Sequence, residues 1–435
     1  MRLFLTSFLL FGAAITHTQT WQSVGLDSED IYRFAFDSSN ANVVYVGSFG
    51  NFSTGKVGGI FRTSNAGGSW DTLFRGGIVY DLVLDPVDHK TIYAAIGRSG
   101  LTTFSGILKS SDDGKSWAEI DSGIYKDPDG HPAVIAIDPK NSQIIYAGTD
   151  GFFGGEMYKS TNQGMNWFVL NDSSLSGWGV TAIAVNPEST NVVYASPATQ
   201  GIVRSGDGGI HWIKLGLENR IINDIEFGCT PSTVYVGTSF DVAPVGFFSS
   251  SDGGATWSTN KNGLPDTVKG TKIQVSCKPG NRQVFLSNAW TRGSVFRAGD
   301  DWIWKSMGLN LPAGATTICL AGDMLYAGAS GVYVTQIVTS INSRSVVEPV
   351  ARLSQNYPNP FNPSTVIHYA LPRKSQIALT LYNALGQVVQ VLVNQEEEAG
   401  DHEVRFYSNN LTSGMYFYTL KTKDFTTTKK LVLVH

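Results

Sequence analysis

An eight-residue pattern, Ser/Thr-x-Asp/Asn-x-Gly-x-x-Trp, recurs in this 435-residue chain and limits what it can fold into. It stands as Thr63–Trp70 (TSNAGGSW), Ser110–Trp117 (SSDDGKSW), Ser160–Trp167 (STNQGMNW), Ser205–Trp212 (SGDGGIHW) and Ser250–Trp257 (SSDGGATW). An eroded copy ends at Trp304 (RAGDDWIW). The residue types are those of a tight turn between two strands. The Asp or Asn side chain accepts backbone N–H groups, the Gly takes a positive φ, and the hydroxyl adds a local bond. The Trp is then free to pack its indole over the turn and into a neighbouring sheet.

Counting from Trp to Trp (21, 70, 117, 167, 212, 257, 304) gives steps of 45 to 50 residues, the period of one four-stranded propeller blade. Each unit opens on a short apolar run such as Phe34–Phe36, Leu82–Leu84 or Ile225–Phe227. A strand centred on an aromatic follows: Tyr45, Tyr93, Tyr146, Tyr194, Tyr235, Phe285 and Tyr326. The seventh unit ends after Gly331–Thr335 with no box, while Trp21-Gln22-Ser23-Val24 is an outer strand with no blade before it. The two deficits predict a ring of seven blades closed by the N-terminal strand, which hides the edges an open array would expose.

Composition agrees with an all-β fold: 47 Gly, 17 Tyr and many short Val/Ile runs. A net charge of −4 with both signs interspersed carries no nucleic-acid or polybasic membrane signature. Residues 1–18, a positive start followed by a short apolar run, read as a secretory signal peptide rather than a transmembrane segment. Cys229, Cys277 and Cys319 are an odd set with no metal-site spacing, and nothing in the sequence calls for a cofactor. Cys229 and Cys277 occupy equivalent positions in adjacent units, but blades diverge outward, so a bridge there is geometrically demanding.

The octapeptide resembles the Asp-box, or BNR repeat, of sialidase-like and sortilin-like β-propellers. The resemblance implies a seven-bladed propeller over residues 19–337 with its boxes on the periphery, away from the ligand face. It gives structural roles to Asp112, Gly114, Trp117, Asp207, Gly209, Trp212, Asp252, Gly254 and Trp257. Asp-box sialidases carry an Arg-Ile-Pro segment ahead of the first box, and none is present here. Xyloglucan-cleaving relatives set two propellers against each other, and this chain encodes one.

A site is therefore expected at the mouth of the channel, on the loops between blades and between second and third strands. Trp178 and Trp290 stand out there as aromatics outside the repeat, suited to stacking on a sugar or anchoring a protein. Aligning the units also lines up Arg33, Asp81, Val134, Ala182, Asp224, Lys272 and Thr317 just ahead of the apolar runs. In a seven-fold ring Arg33 neighbours Asp81, and Asp224 neighbours Lys272. Asp81 and Asp224 are then either an acid and base for glycoside hydrolysis or members of two ion pairs in a wet channel. The ion pairs are the preferred reading, with recognition of a glycan or protein partner as the function and a sialidase-like or xyloglucanase-like hydrolase as the alternative.

After a polar linker, residues 338–352, the composition changes and the repeat stops. Alternating strands over 353–435 predict a small immunoglobulin-like β-sandwich. Its motifs, NYPNPFNPST from Asn356, LYNALGQVV from Leu381, AGDHEV from Ala399 and SGMYFYTL from Ser413, resemble the C-terminal sorting domain of the type IX (Por) secretion system. The resemblance implies delivery through the periplasm to the cell surface or the medium, with the secretion machinery as the module's partner.

Overall fold

The computed structural model describes residues 20–435 except for segments 52–54, 99–103, 125–129, 151–154, 176–178, 239–245, 266–267, 279–280, 289–293, 308–310, 312–314, 338–351 and 409–410 and residues 357, 372, 399, 424 and 435. The expected signal peptide and nearly all of the expected linker lie outside the described residues. The chain divides into two compact units, Met1–Ser340 and Ile341–His435.

The first unit is a propeller of seven antiparallel sheets. The innermost strands are Ile31–Phe36, Ile78–Leu84, His131–Ile137, Val180–Val185, Ile222–Phe227, Gly270–Lys278 and Thr317–Ala321. We number the blades 1 to 7 in that order. Blade 7 takes its outermost strand from the other end of the chain: Gln22 and Ser23 pair with Val334 and Tyr333. Trp21, 2 % exposed, locks that strand by donating its indole N–H to Met307 O of blade 6 at 3.0 Å. Blade 5 is thinner, because its fourth strand amounts to one bridge between Ser249 and Ser258.

Each box folds as its residue types demand. In blade 2, Ser110 Oγ accepts the Gly114 N–H at 2.8 Å and Asp112 Oδ1 accepts the Ser116 N–H at 2.9 Å. Asp113 and Gly114 both take positive φ, 62° and 84°, and a Cβ on Gly114 would meet Leu73 Cδ1 at 2.4 Å. Those bonds, led by the Ser116 hydroxyl, pull the Asp112 carboxyl down to about 2. The box indoles then sew blades together. Trp70, Trp167 and Trp257 donate to Val24 O, Ile120 O and Leu215 O of the preceding blade, whereas Trp117 and Trp212 bond their own turn glycines.

The innermost strands share a further device. Register slips between Ile31 and Arg33, Val79 and Asp81, Pro132 and Val134, Val180 and Ala182, and Ile222 and Asp224, each a bulge one residue ahead of the aligned channel position. A bulge kinks a strand and re-aims a side chain.

Cys229 and Cys277 are disulfide-bonded, with Cα atoms 5.3 Å apart. The divergence of blades does not prevent the bridge, because both residues sit on or beside innermost strands, where blades are closest. Cys319 keeps a free, buried thiol.

The second unit is a sandwich of a three-stranded sheet (Arg352–Leu353, Ser364–Leu371, Gly400–Tyr407) on a four-stranded one (Val388–Glu397, Ser375–Asn383, Gly414–Lys421, Thr426–Leu433). Arg352, expected in the linker, begins its first strand. The NYPNPFNPST segment ties the sheets together. Buried Tyr418 Oη accepts the Asn356 N–H and donates to Ser354 O, while Asn359 Oδ1 accepts the Val432 N–H. Phe361, 2 % exposed, fills the core beside Phe406.

Candidate functional site at the channel mouth

In an antiparallel blade the chain enters the innermost strand at the end where it leaves the second strand. The bulges therefore lie at one end of the ring, with the loops between blades. The turns that carry the boxes lie at the other.

At the bulge end the structure forms both pairs of charges. Arg33 Nε lies 3.3 Å from Asp81 Oδ1, and Lys272 Nζ lies 2.6 Å from Asp224 Oδ1. Each carboxylate also holds the next blade. Asp81 Oδ2 accepts the Ile135 N–H at 2.8 Å and Asp224 Oδ2 accepts the Ile273 N–H at 2.7 Å. Both oxygens of each carboxylate are thus engaged by protein. Two residues further along the same strand, Glu226 sits beside Asp224 and Lys272, and burial followed by the negative charge of Asp224 raises its carboxyl to about 8.

The bulged residues build a wall that the residue alignment does not reveal. Tyr32 and Tyr80 immediately precede Arg33 and Asp81, and their rings meet edge-on at 6.2 Å. Phe49, just past the second strand of blade 1 (Val44–Ser48), lies 5.9 Å from Tyr32 and 6.1 Å from Tyr80. The His131 ring lies 4.0 Å from that of Tyr80, tilted by 31°, and its Nδ1 is 3.6 Å from Asp150 Oδ1. Arg33 covers one face of Tyr32, 4.4 Å from the ring centre. All five of Tyr32, Phe49, Tyr80, His131 and Asp150 are partly open to solvent.

Burial dominates the electrostatics of this wall. It pushes the Tyr80 phenol up to about 12, so the ring is a neutral donor at any physiological pH. Burial lowers the His131 pKa, against the opposing pull of Asp150, and the His131 Nε2 atom is buried with no hydrogen-bond partner among the described residues. Asp30, in the loop that enters blade 1, is raised by burial and then by Glu29. The wall thus combines neutral rings, an imidazole whose charged form burial disfavours and the partly open carboxylate of Asp150.

Trp178 and Trp290, the rim aromatics singled out in the sequence, lie outside the described residues. The Asp-box residues sit at the opposite end of the ring. No group of three or more His, Cys, Asp or Glu able to hold a metal occurs among the described residues. No helix there is long and apolar enough to cross a membrane.

Residues 355–434 match the family described as the secretion system C-terminal sorting domain. The chain carries a type IX sorting tail. The tail marks the protein for export to the cell surface or the medium. The propeller has more distant relatives. A xyloglucanase of Hypocrea jecorina is 26 % identical over 320 residues, covering 66 % of this chain and 34 % of the relative. A xyloglucanase of a Paenibacillus species is 25 % identical over 264 residues, covering 56 % and 22 %. The chain thus spans about a third or less of the xyloglucanases it matches. Among solved structures, a GH74 enzyme of Niastella koreensis aligns with a TM-score of 0.55 at 17 % identity, covering 96 % of this chain and 75 % of the other. PorZ, a surface component of the type IX secretion system of Porphyromonas gingivalis, aligns at 0.52 and 14 % identity, covering 94 % and 60 %. At these identities the structural likeness speaks for the propeller fold.

Proposed function

We propose that this protein is an exported glycan-binding propeller whose channel mouth takes a neutral polysaccharide of the xyloglucan class. The observation that carries the reading is the division of labour at the mouth. Asp81 and Asp224 are committed to holding blades together, while Tyr32, Phe49, Tyr80 and His131 turn partly bare ring surface to solvent. Pyranose rings pack their C–H faces on such surfaces, and a few placed polar groups such as Asp150 fix orientation. The relatives that are xyloglucanases suggest which polysaccharide to try first.

Titration calorimetry of the full chain with xyloglucan oligosaccharides tests the proposal. Binding without release of reducing ends, weakened about tenfold or more by Tyr80→Ala (about 1.4 kcal/mol), supports it. No binding to any glycan of a broad array would overturn it.

One observation favours a second reading. Asp150 lies at the mouth with its Oδ1 3.6 Å from the His131 imidazole, and its side chain is 46 % exposed. If the propeller hydrolyses glycosides, Asp150 rather than Asp81 or Asp224 is the available acid or base. Release of reducing ends that is abolished in Asp150→Asn would establish that reading in place of the first.

A further inference from the structure

At the opposite end of the ring, blades 5 and 6 meet differently from their neighbours. In blades 1 to 4 a basic residue of the third strand lies over the second-strand tyrosine: Arg62 on Tyr45, Lys109 on Tyr93, Lys159 on Tyr146 and Arg204 on Tyr194. Several of these tyrosines also reach the box turn of the next blade. Tyr146 donates to Gly208 O at 3.1 Å and Tyr194 to Gly253 O at 2.9 Å, and Lys159 Nζ joins Tyr146 on Gly208 O. In blade 5 the strand position opposite Tyr235 is Ser249. The box of blade 6 is the eroded one, and the blade 5 fourth strand has shrunk to the Ser249–Ser258 bridge. A long cation, a box turn and most of a strand are thus missing at one interface.

The space they leave is a cleft of about 350 Å³. Its working surface is Ser249, Ser251, Ser258, Asn260, Arg282 and Trp302. Arg282, from blade 6, takes over the tyrosine, with Nη1 2.8 Å from Tyr235 Oη and the guanidinium carbon 4.4 Å from the centre of Trp302. Its Nε donates to Asp300 Oδ1 at 2.8 Å and its Nη2 to Gly299 O at 3.1 Å. A guanidinium has five N–H donors, so two remain for a ligand. Asn260 Nδ2 donates to Ser249 Oγ at 2.8 Å, which holds the Asn260 amide in the wall of the same space. The Cys229–Cys277 bridge pins the inner end of the cleft, Cys229 being part of its wall.

We infer that this cleft is a second binding site, for a mono- or disaccharide without charge. The volume falls at the small end of ligand-sized sites, roughly 300–1,000 Å³. The lining is rich in hydroxyls, with one amide, one guanidinium and an aromatic wall, which is the mixture that exchanges hydrogen bonds with vicinal diols. Charge decides between a sugar and an anion. Asp300 neutralises Arg282 at 2.8 Å, so the cleft offers directed donors without net positive charge. The site lies at the box end of the ring and does not depend on the function proposed for the mouth.

The test uses the full chain, with cellobiose and xylobiose as neutral probes and sulfate as the anionic one. Binding is followed by Trp fluorescence and by calorimetry. The expected result is millimolar binding of at least one disaccharide that persists in the mouth variant Tyr80→Ala. It should fall tenfold or more in Ser249→Arg, which restores the cation of the other blades and fills the cleft. Ser258→Arg, at an exposed position, serves should Ser249→Arg fail to fold, and it should show the same loss. Binding of sulfate alone, no binding of either disaccharide, or binding unchanged in both cleft variants would overturn the inference. A loss in Tyr80→Ala instead would assign the sugar to the mouth and equally overturn it.

Discussion

The two ends of the propeller ring are built by opposite rules. At the box end the same turn recurs in blade after blade, with the same serine or threonine, the same pair of positive-φ residues and an indole reaching for a backbone carbonyl. At the mouth the strands are equally regular, but the residues at the bulges differ: tyrosine in blades 1 and 2, threonine in blade 4, asparagine in blade 5. Repetition serves closure and stability, since each unit must fit the next. Departure from repetition is where a ligand can be distinguished. The blade 5–6 cleft obeys the same rule from the other side, because it exists only where the box and its partner cation are lost.

That contrast can be broken first at the closure. Trp21→Ala removes a fully buried indole from the strand that seals the ring and should cost about 3–5 kcal/mol, read as a large fall in denaturant midpoint. A midpoint near wild type would mean that the ring does not need its N-terminal strand. Next comes the box turn. Gly114→Ala combines a strained φ of 84° with a contact on Leu73, and should cost about 1–3 kcal/mol while leaving mouth binding untouched.

Smaller effects come from titration. The Glu226 carboxyl is raised above its ordinary value, to about 8, so its contribution is intact below about pH 4.5 and is lost as pH rises through 8. Glu226→Gln should therefore be more stable than wild type above pH 8, by about 1 kcal/mol or more, and lose less stability between pH 4.5 and 8. Identical pH profiles across that window would place the charge elsewhere. At the box end the sign reverses. Asp112 and Asp252, both lowered to about 2, contribute stability above their ordinary value of 3.8 that is lost as pH falls toward 2. Asp112→Asn should narrow that acid transition slightly.

The sequence made the ring legible because its signals are periodic. The Trp spacing, the aromatic strand centres and the missing seventh box together required seven blades and the Trp21 closure. The neighbours Arg33–Asp81 and Asp224–Lys272 followed from the same alignment. What was hidden breaks the period. The bulge inserts one residue that alternation cannot count, so Tyr32 and Tyr80 looked like ordinary strand residues. His131 and Asp150 meet across a sheet from positions 19 residues apart. The disulfide depended on how close the innermost strands run, and the cleft on a strand that fails to form. Each is a property of distance rather than of pattern.

One comparison of affinities separates the roles of the boxes and the mouth most directly. Xyloglucan oligosaccharides should bind the wild-type chain and Gly114→Ala equally well, at a temperature where both are folded, and bind Tyr80→Ala at least tenfold more weakly. Equal affinity for Tyr80→Ala and wild type, with the loss appearing in Gly114→Ala instead, would contradict the claim that the boxes build the ring and the mouth reads the ligand.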